Sequence, residues 1–246
     1  MRSLKTVDEL IGRAMVLLQM ADRCGLEYRY CQGGVHTKKE RKEQQRFLRR
    51  WLEKNGFMCY MTDTEKKIFD KRIGNPFNKK ILNQNLFQSE SIEPLLWSLG
   101  LTKRLHSYDN YSLVSTEDFI EAHYKLKVHV PNTYEELMKK VSLRREEEIE
   151  LQDQIAMLWY WRVIEGKKAF KKESVRDILL EIWGDAYKTA IYRALKGKED
   201  FQIYGTPVYK LSSLEFEHLY YRAKWRYHAF EWILTEEDWE DVRLNT

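Results

Sequence analysis

Charged residues that could bind an anion lie near the carboxy-terminal end of the sequence, within residues 213–234. His218, Arg222 and Arg226 are spaced four residues apart, so they share one face of a helix. Together they could bind a phosphate or a carboxylate, because arginine offers a bidentate fork of N–H donors. The simpler interpretation, which we favour, is a basic helix face in contact with water.

A second candidate is the segment QDQIAMLWYWRVIE, in which an acid and a base flank aromatic residues. A helix that is apolar all round is usually buried, and a buried charge must be paired or hydrogen-bonded. We therefore expect Asp153 and Arg162 to be structurally paired, the alternative being a polar cluster that lines a pocket between helices. The candidate ligand-binding residues of both segments are Asp153, Arg162, Arg222, Arg226, His228 and Trp232.

The basic segment KKERKEQQRFLRRW, which starts at Lys38, is a third candidate. Nucleic-acid binding needs basic residues that neutralise phosphates. Glu40 and Glu43 interrupt the segment and can pair with its basic residues along a helix, and the net charge of +4 is mild for a dedicated nucleic-acid binder. We expect a solvated helix here, and we do not expect nucleic acid as a partner.

Recognised catalytic motifs are missing from the sequence. It contains no G-x-S-x-G, no phosphate-binding glycine loop and no H-E-x-x-H. Glu215-x-x-His218 has the spacing of half a di-iron site, but the sequence has no second copy. The segment CQGGVH, which contains Cys31 and His36, is better interpreted as a loop than as a Cys–His pair. We predict no metal and no cofactor, and no catalytic residue can be assigned.

The elements that must position these residues are predicted to be helices. The 246 residues include only 11 Gly and 4 Pro, which suits long helices. Capping boxes, in which a hydroxyl and an acid three residues later satisfy backbone amides reciprocally, mark the helix starts. They occur at Thr6-x-x-Glu9, Thr37-x-x-Glu40, Thr62-x-x-Glu65, Ser115-x-x-Asp118, Thr133-x-x-Glu136 and Thr235-x-x-Asp238.

Apolar periodicity extends this prediction to the rest of the chain. One helical pattern runs from Thr133 to Gly166, another covers 174–196, and the last long helix covers about 213–234. Phe47 falls on the buried face of the helix after Thr37. A break of the helical period around Gly205-Thr206-Pro207 predicts a hairpin. We predict one compact, mainly α domain over residues 1–246, with a small β-hairpin near 200–211.

Cysteine content and hydropathy indicate the compartment. The three cysteines are odd in number and have no C-x-x-C spacing, which is typical of a reduced protein. The longest apolar runs are far short of the roughly 20 residues that span a bilayer. We therefore predict a cytoplasmic protein that does not associate with membranes. The sequence is rich in tryptophan, with 8 residues, and it leaves the oligomeric state open.

Five segments, in order along the chain, resemble one bacterial family, the domain-of-unknown-function family 4272. The matching residues are Arg13, Leu17, Ala21, Arg23 and Glu27; Glu90, Leu95, Leu96, Trp97, Leu99 and Gly100; Asp153, Trp161 and Arg162; the segment DFQIYGTPVYKLS; and Arg226, Ala229, Phe230, Trp232, Ile233, Trp239 and Val242 to Thr246. The sequence departs from the family pattern at Trp225, Glu231, Glu240 and Asn245. Since the family carries no established activity, the resemblance implies a shared fold and no particular function.

The leading functional prediction is a non-catalytic protein-interaction or regulatory module, because this sequence predicts an aromatic-rich helical domain and contains no recognisable set of catalytic residues. The first alternative is an enzyme or small-ligand binder that uses a polar and aromatic pocket between helices. It requires Asp153, Arg162, Arg222, Arg226 and Trp232 to converge around one cavity. The second alternative is weak nucleic-acid binding through the basic helix 38–50.

Overall fold

A computed structural model of the chain describes residues 4–31, 37–74, 78–108, 138–170 and 174–245. These residues divide into two compact units. The amino-terminal unit contains the described residues from Lys5 to Lys103 together with 138–143, and the carboxy-terminal unit contains Leu4, 104–108 and the described residues from Arg144 onward. The prediction of one domain over 1–246 stays a prediction.

The amino-terminal unit is built from helices, and the first three start at the capping boxes predicted at Thr6, Thr37 and Thr62. The helices are α1 (Val7–Cys31), α2 (Lys38–Lys54), α3 (Asp63–Phe69), α4 (Lys79–Phe87) and α5 (Ile92–Ser98), with 3₁₀ turns at Phe57–Tyr60 and Gln88–Ser91. The boxes at Thr37 and Thr62 are both complete, so each threonine hydroxyl and each glutamate carboxylate accepts a hydrogen bond from a backbone N–H that has no partner within the helix. The starts predicted at Ser115 and Thr133 lie outside the described residues.

Helix α1 is the centre of this unit, and two buried arginines on it hold α3. Arg13 forms a bidentate pair with Glu65 at 2.8 and 2.6 Å, and Glu65 also closes the α3 capping box. Arg23 donates to the carbonyls of Phe69 at 3.3 Å and Lys71 at 2.7 Å, and it pairs with Glu27 at 3.1 Å. Burial lowers the pKa of Arg23, and the adjacent carboxylate opposes that shift.

Helix α5 ends in a Schellman motif centred on Gly100. The N–H of Gly100 donates to Trp97 at 2.9 Å and the N–H of Leu101 donates to Leu96 at 2.9 Å, which satisfies two terminal carbonyls. Gly100 has φ +69°, and a Cβ at this position would lie 2.4 Å from the carbonyl oxygen of Ser142. Only glycine fits, because both the backbone conformation and the close approach exclude a side chain.

The carboxy-terminal unit consists of α6 (Glu146–Ile164), α7 (Val175–Trp183), α8 (Lys188–Leu195), a hairpin and α9 (Ser213–Ile233), with 3₁₀ turns at Asp185–Tyr187 and Val208–Lys210. Helix α6 packs mainly against α9 and also against α8. Both α6 and α9 carry long runs of buried residues toward their carboxy-terminal ends. They form the core of this unit and position all six candidate residues.

The hairpin is confirmed where the break of the helical period predicts it. Strands β1 (Gln202–Ile203) and β2 (Thr206–Pro207) are antiparallel, with Ile203 opposite Thr206. The two turn residues, Tyr204 and Gly205, have φ of +49° and +77°. Two positive φ angles in a two-residue loop are the signature of a type I′ turn, whose twist matches that of the strands. The mainly α fold with one small hairpin is therefore confirmed.

Three predicted helices differ from the structure. The pattern that starts at Thr133 does not run continuously, because α6 begins at Glu146 and 139–145 are not helical. The pattern over 174–196 is divided at Gly184 into α7 and α8. No helix follows Thr235: the chain turns there, and Trp239 packs back onto α9. In the first two cases the helices are shorter than the pattern, and in the third no helix forms, because most helical stability comes from tertiary packing and not from local signals.

Candidate functional site

Arg162 lies near the end of α6 and is fully buried. Its guanidinium forms a bidentate pair with Asp200, with Nε to Oδ1 and Nη2 to Oδ2 both at 2.7 Å. Further donors bind the carbonyls of Gly166 at 2.8 Å and Lys168 at 3.2 Å, and Asp200 also accepts the N–H of Phe201 at 2.7 Å. Arg162 thus joins the end of α6 to the start of the hairpin, and its charge is compensated within the protein.

Asp153 is also buried on α6, but it is not a partner of Arg162. Nine residues separate the two, which corresponds to two and a half helical turns, so their side chains leave opposite sides of the helix. The expected pairing of Asp153 with Arg162 is therefore wrong, although both side chains are buried and Arg162 is held by hydrogen bonds. The acid that pairs with it is Asp200, 38 residues further along the chain.

Arg222 and Arg226 are buried in the middle of α9, so the interpretation of a solvated basic face is wrong. Arg222 Nη1 donates to the carbonyl of Tyr108 at 3.0 Å, and Arg226 Nη1 donates to the carbonyl of His106 at 2.6 Å. The guanidinium of Arg226 also lies 4.9 Å from the centre of the Tyr108 ring, a cation–π distance. The two arginines therefore bind the segment 106–108 to α9.

His228 and Trp232 belong to an aromatic group at the end of α9. The ring of His228 contacts Trp225 at 5.1 Å and Trp239 at 4.5 Å between centroids, and Trp232 contacts Trp239 at 5.3 Å. All four rings are buried. Edge-to-face contacts of this kind stabilise a core beyond the area they bury. Trp239 packs against His228 and Trp232 because the chain turns after α9.

The interface of α6 and α9 also contains a group of tyrosines. Tyr160 lies 6.1 Å from Tyr220 and 5.8 Å from Tyr227 between ring centroids. Burial raises the pKa of Tyr160 to about 12, and the neighbouring Tyr220 adds to this rise. The Tyr227 hydroxyl donates to the carbonyl of Asn245 at 3.0 Å, which attaches the end of the chain to α9.

Glu215, of the Glu215-x-x-His218 spacing, serves as a capping residue. Glu215 accepts the N–H of Ser212 at 2.7 Å and completes a capping box at the start of α9. Its hydrogen bonds with Ser212 lower the pKa of the carboxyl. Within the described ranges, the structure holds no group of three or more His, Cys, Asp or Glu side chains that could bind a metal.

The candidate residues therefore fall into separate groups in the structure. Arg162 is held by Asp200, Arg222 and Arg226 by the segment 106–108, and His228 and Trp232 by neighbouring tryptophan rings. These partners show that the charged side chains serve mainly to connect elements. The geometry brings together Arg222 with Arg226 and His228 with Trp232, and it gives Arg162 a site of its own.

A row of aromatic rings lies at the junction of α6 and α7. Trp161 contacts Phe170 at 6.1 Å and Trp183 at 5.5 Å, and Trp183 contacts Tyr187 at 6.2 Å between centroids. We call these four residues the aromatic row. Trp161 is buried, whereas the other three are half-buried. Next to Trp183 in the sequence, Ile182 is 53% exposed, so apolar surface is in contact with water here.

Three residues important to these sites could not be found from the sequence. Asp200 begins the segment DFQIYGTPVYKLS, which resembles the family, but nothing in that segment indicates a pair with Arg162. Tyr108 lies in a segment that carries no helical or strand pattern. Phe170 is an isolated aromatic residue between lysines. No local signal marks any of them, because each is defined by a contact with α6 or α9 that spans many residues.

Comparison with protein families identifies the chain. The sequence model of a family described as Domain of unknown function (DUF4272) matches residues 2–177. The chain belongs to the DUF4272 family. Comparison with curated proteins gave no match, and comparison with solved structures gave none either.

The DUF4272 match ends within α7, so the hairpin and α9 follow it. Of the six candidate residues, Asp153 and Arg162 lie inside the match and the four on α9 lie outside. The resemblance of the hairpin and of the closing segment to the family therefore stays a prediction. Among the helices that the structure describes, none is both long and apolar enough to cross a membrane.

Several residues that carry the DUF4272 resemblance have a structural explanation in this chain. Arg13 holds α3 through a buried pair with Glu65, and Arg23 donates to the carbonyls of Phe69 and Lys71 at the end of α3. Glu27 bridges Arg23 at 3.1 Å and Arg41 of α2 at 3.4 Å. Gly100 allows the Schellman motif at the end of α5. In this member, the matching motifs organise helix packing.

Proposed function

We propose that this member of the DUF4272 family is a cytoplasmic, non-catalytic protein-interaction module that regulates a partner through the aromatic row. The observation that carries the proposal is the exposure of apolar surface along α7. Of its nine residues, only Val175 and Leu179 are buried, although the helix is rich in leucine, isoleucine and tryptophan. Exposed apolar surface of this kind marks interaction sites.

The composition of the surface supports this proposal. Protein interfaces are enriched in tryptophan, tyrosine and phenylalanine at their centre and polar at their rim. The aromatic row supplies all three aromatic types, and Ile164, 48% exposed, lies one turn after Trp161 on α6. Lys167, Glu181 and Asp185 are exposed nearby in the sequence and can form the rim. Burial of the half-exposed rings by a partner would contribute roughly 25 cal/mol for each Å² removed from water.

The alternative of an enzyme or small-ligand binder is less well supported by the geometry. It requires the charged candidates to converge on one cavity. Arg162 instead donates to Asp200 and to two backbone carbonyls. Arg222 and Arg226 donate to the backbone carbonyls of Tyr108 and His106. A ligand at any of these sites would have to displace a bond that already holds two elements together.

The test is affinity capture of the tagged protein from its native lysate, followed by mass spectrometry of proteins and small molecules. Two variants are compared with the wild type. Ile182→Glu introduces a charge beside the aromatic row, and Ile81→Glu introduces the same charge at another exposed isoleucine, on α4. We expect a protein partner that Ile182→Glu loses and Ile81→Glu retains. Equal recovery by both variants, or a co-purifying metabolite without a protein partner, would contradict the proposal.

A further inference from the structure

Helix α2 presents a row of basic side chains to solvent. Lys39, Lys42, Arg46 and Arg50 recur at intervals of three or four residues, so they follow one face of the helix. All four are exposed. We call these four residues the basic stripe. It extends over about 16 Å, since an α-helix rises about 1.5 Å per residue.

Several other charges of α2 are used within the protein, but those of the basic stripe are not. Arg41 is buried and pairs with Glu27, and Arg49 pairs with Glu53 at 2.9 Å and with Asp70. Glu40 is occupied in the capping box of Thr37.

The acid that remains on the exposed side of α2 is Glu43. Its predicted pairing with the basic residues along the helix is not formed: none of the four stripe side chains makes an ion pair with any residue that the structure describes. The stripe therefore carries an excess of positive charge that no described carboxylate neutralises. A polyanion with regularly spaced charges is the complementary ligand.

An aromatic side chain lies directly beside the basic stripe. Phe47, predicted for the buried face of α2, is 45% exposed instead, and the buried face consists of Arg41, Leu48, Trp51 and Leu52. Phe47 is three residues before Arg50, so the two are neighbours on the helix surface. An exposed ring costs free energy in water, but it offers a face on which an unpaired base can stack.

From these two features we propose that α2 binds single-stranded nucleic acid. The basic stripe follows the phosphates and Phe47 stacks on a base, which is the combination that single-strand binding proteins use. A duplex is disfavoured because its bases are already stacked on one another and cannot reach the ring. The proposal is independent of the aromatic row, because α2 belongs to the amino-terminal unit and the row to the other.

The expected salt dependence follows from the number of phosphates. For single strands, the logarithm of the binding constant falls with a slope of about −0.7 per phosphate neutralised, so four contacts give about −2.8. The affinity should then decrease about 50-fold between 50 and 200 mM KCl. Binding is measured by fluorescence anisotropy with labelled dT20 and with a labelled duplex of about the same length.

Three variants separate the stripe, the ring and overall charge. Lys42→Gln/Arg46→Gln/Arg50→Gln removes most of the stripe and should lower the affinity for dT20 at least about 10-fold, with a slope less steep by about 2. The control Lys188→Gln/Arg193→Gln/Lys198→Gln removes three exposed charges elsewhere and should stay within about 2-fold of the wild type.

Phe47→Ala tests stacking, because it removes the ring and leaves the charge unchanged. It should weaken dT20 binding about 5-fold or more with the slope of the wild type. All substituted residues are exposed, and circular dichroism verifies that each variant is folded. The proposal is overturned by absence of dT20 binding at 50 mM KCl, or by equal affinity of the stripe variant and the control. Tighter binding of the duplex, an unaffected Phe47→Ala, or binding of anionic lipid vesicles without binding of dT20 would overturn it as well.

Discussion

Replacement of Asp200 by alanine tests whether buried charge pairs hold the carboxy-terminal unit together. The Arg162 side chain is 0% exposed and the Asp200 side chain 8%, so water cannot replace the lost carboxylate. Two of the four hydrogen bonds of the guanidinium disappear with Asp200, while those to Gly166 and Lys168 remain. The positive charge then stays buried without a counter-charge.

The expected loss of stability is large. Removal of one partner from a buried ion pair costs about 3–5 kcal/mol. With a urea dependence of about 3 kcal/mol/M, at the upper end for small proteins because this chain is longer, the unfolding midpoint should fall by about 1 to 1.7 M. Asp200→Asn should lie between the wild type and the alanine variant, because an amide oxygen can still accept the N–H of Phe201.

The assay is equilibrium unfolding in urea, followed by circular dichroism at 222 nm. Arg145→Ala is the matched control, because the Arg145–Glu148 pair in the same unit is exposed and should leave the midpoint unchanged. The double variant Arg162→Met/Asp200→Leu should recover at least half of the loss, since it removes both charges and keeps apolar volume. A double variant that is less stable than Asp200→Ala would refute the argument that the unpaired charge is the cost.

Two further predictions concern single positions. Gly100→Ala should destabilise the protein by about 2 kcal/mol or more, because a φ of +69° costs a non-glycine residue about 1–2 kcal/mol and the new Cβ would lie 2.4 Å from the carbonyl oxygen of Ser142. The control Gly56→Ala, with φ +73° and open space around its Cβ, should show only the cost of the backbone conformation in thermal unfolding. Equal losses for the two variants would argue against the close contact. The pKa of Tyr160 is raised to about 12 in the folded protein, so on a rise in pH the unfolded chain loses the phenol proton first. The contribution of Tyr160 to the free energy of unfolding is therefore complete below pH about 10 and decreases as the pH rises from there toward 12. Tyr160→Phe should weaken that fall in urea midpoints measured between pH 9 and 11; an unchanged pH profile would contradict the assignment.

Local signals in the sequence predicted most element starts correctly. The boxes at Thr37 and Thr62 form as predicted, because a capping box involves residues only three apart and does not depend on the rest of the chain. The hairpin was predictable for the same reason, since the turn at Gly205 decides it. Thr235 offered an equally good box, yet no helix follows, because packing of Trp239 onto α9 outweighs one cap.

The burial and the hydrogen-bond acceptors of the arginines on α9 could not be predicted from local signals. His218, Arg222 and Arg226 share a helical spacing that suits a solvated face, and only the structure shows the two arginines buried. Their acceptors are the carbonyls of Tyr108 and His106, separated from them by 114 and 120 residues. Backbone carbonyls carry no sequence signal, so no spacing rule could have indicated these bonds.

The sequence by itself determined many of the elements: several helix starts, the position of the hairpin turn and a mainly α fold. These features depend on hydrogen bonds and side-chain periods within a few residues. The sequence also indicated that Arg162 is buried, but only the tertiary structure decided which acid pairs with it and which basic residues of α2 and α9 remain in water. Arg162 pairs with Asp200, which lies 38 residues further along the chain, whereas Arg46 and Arg50 are exposed on α2. The difference arises because the burial of a side chain depends on what packs over its helix face, and that information is distributed over the whole chain.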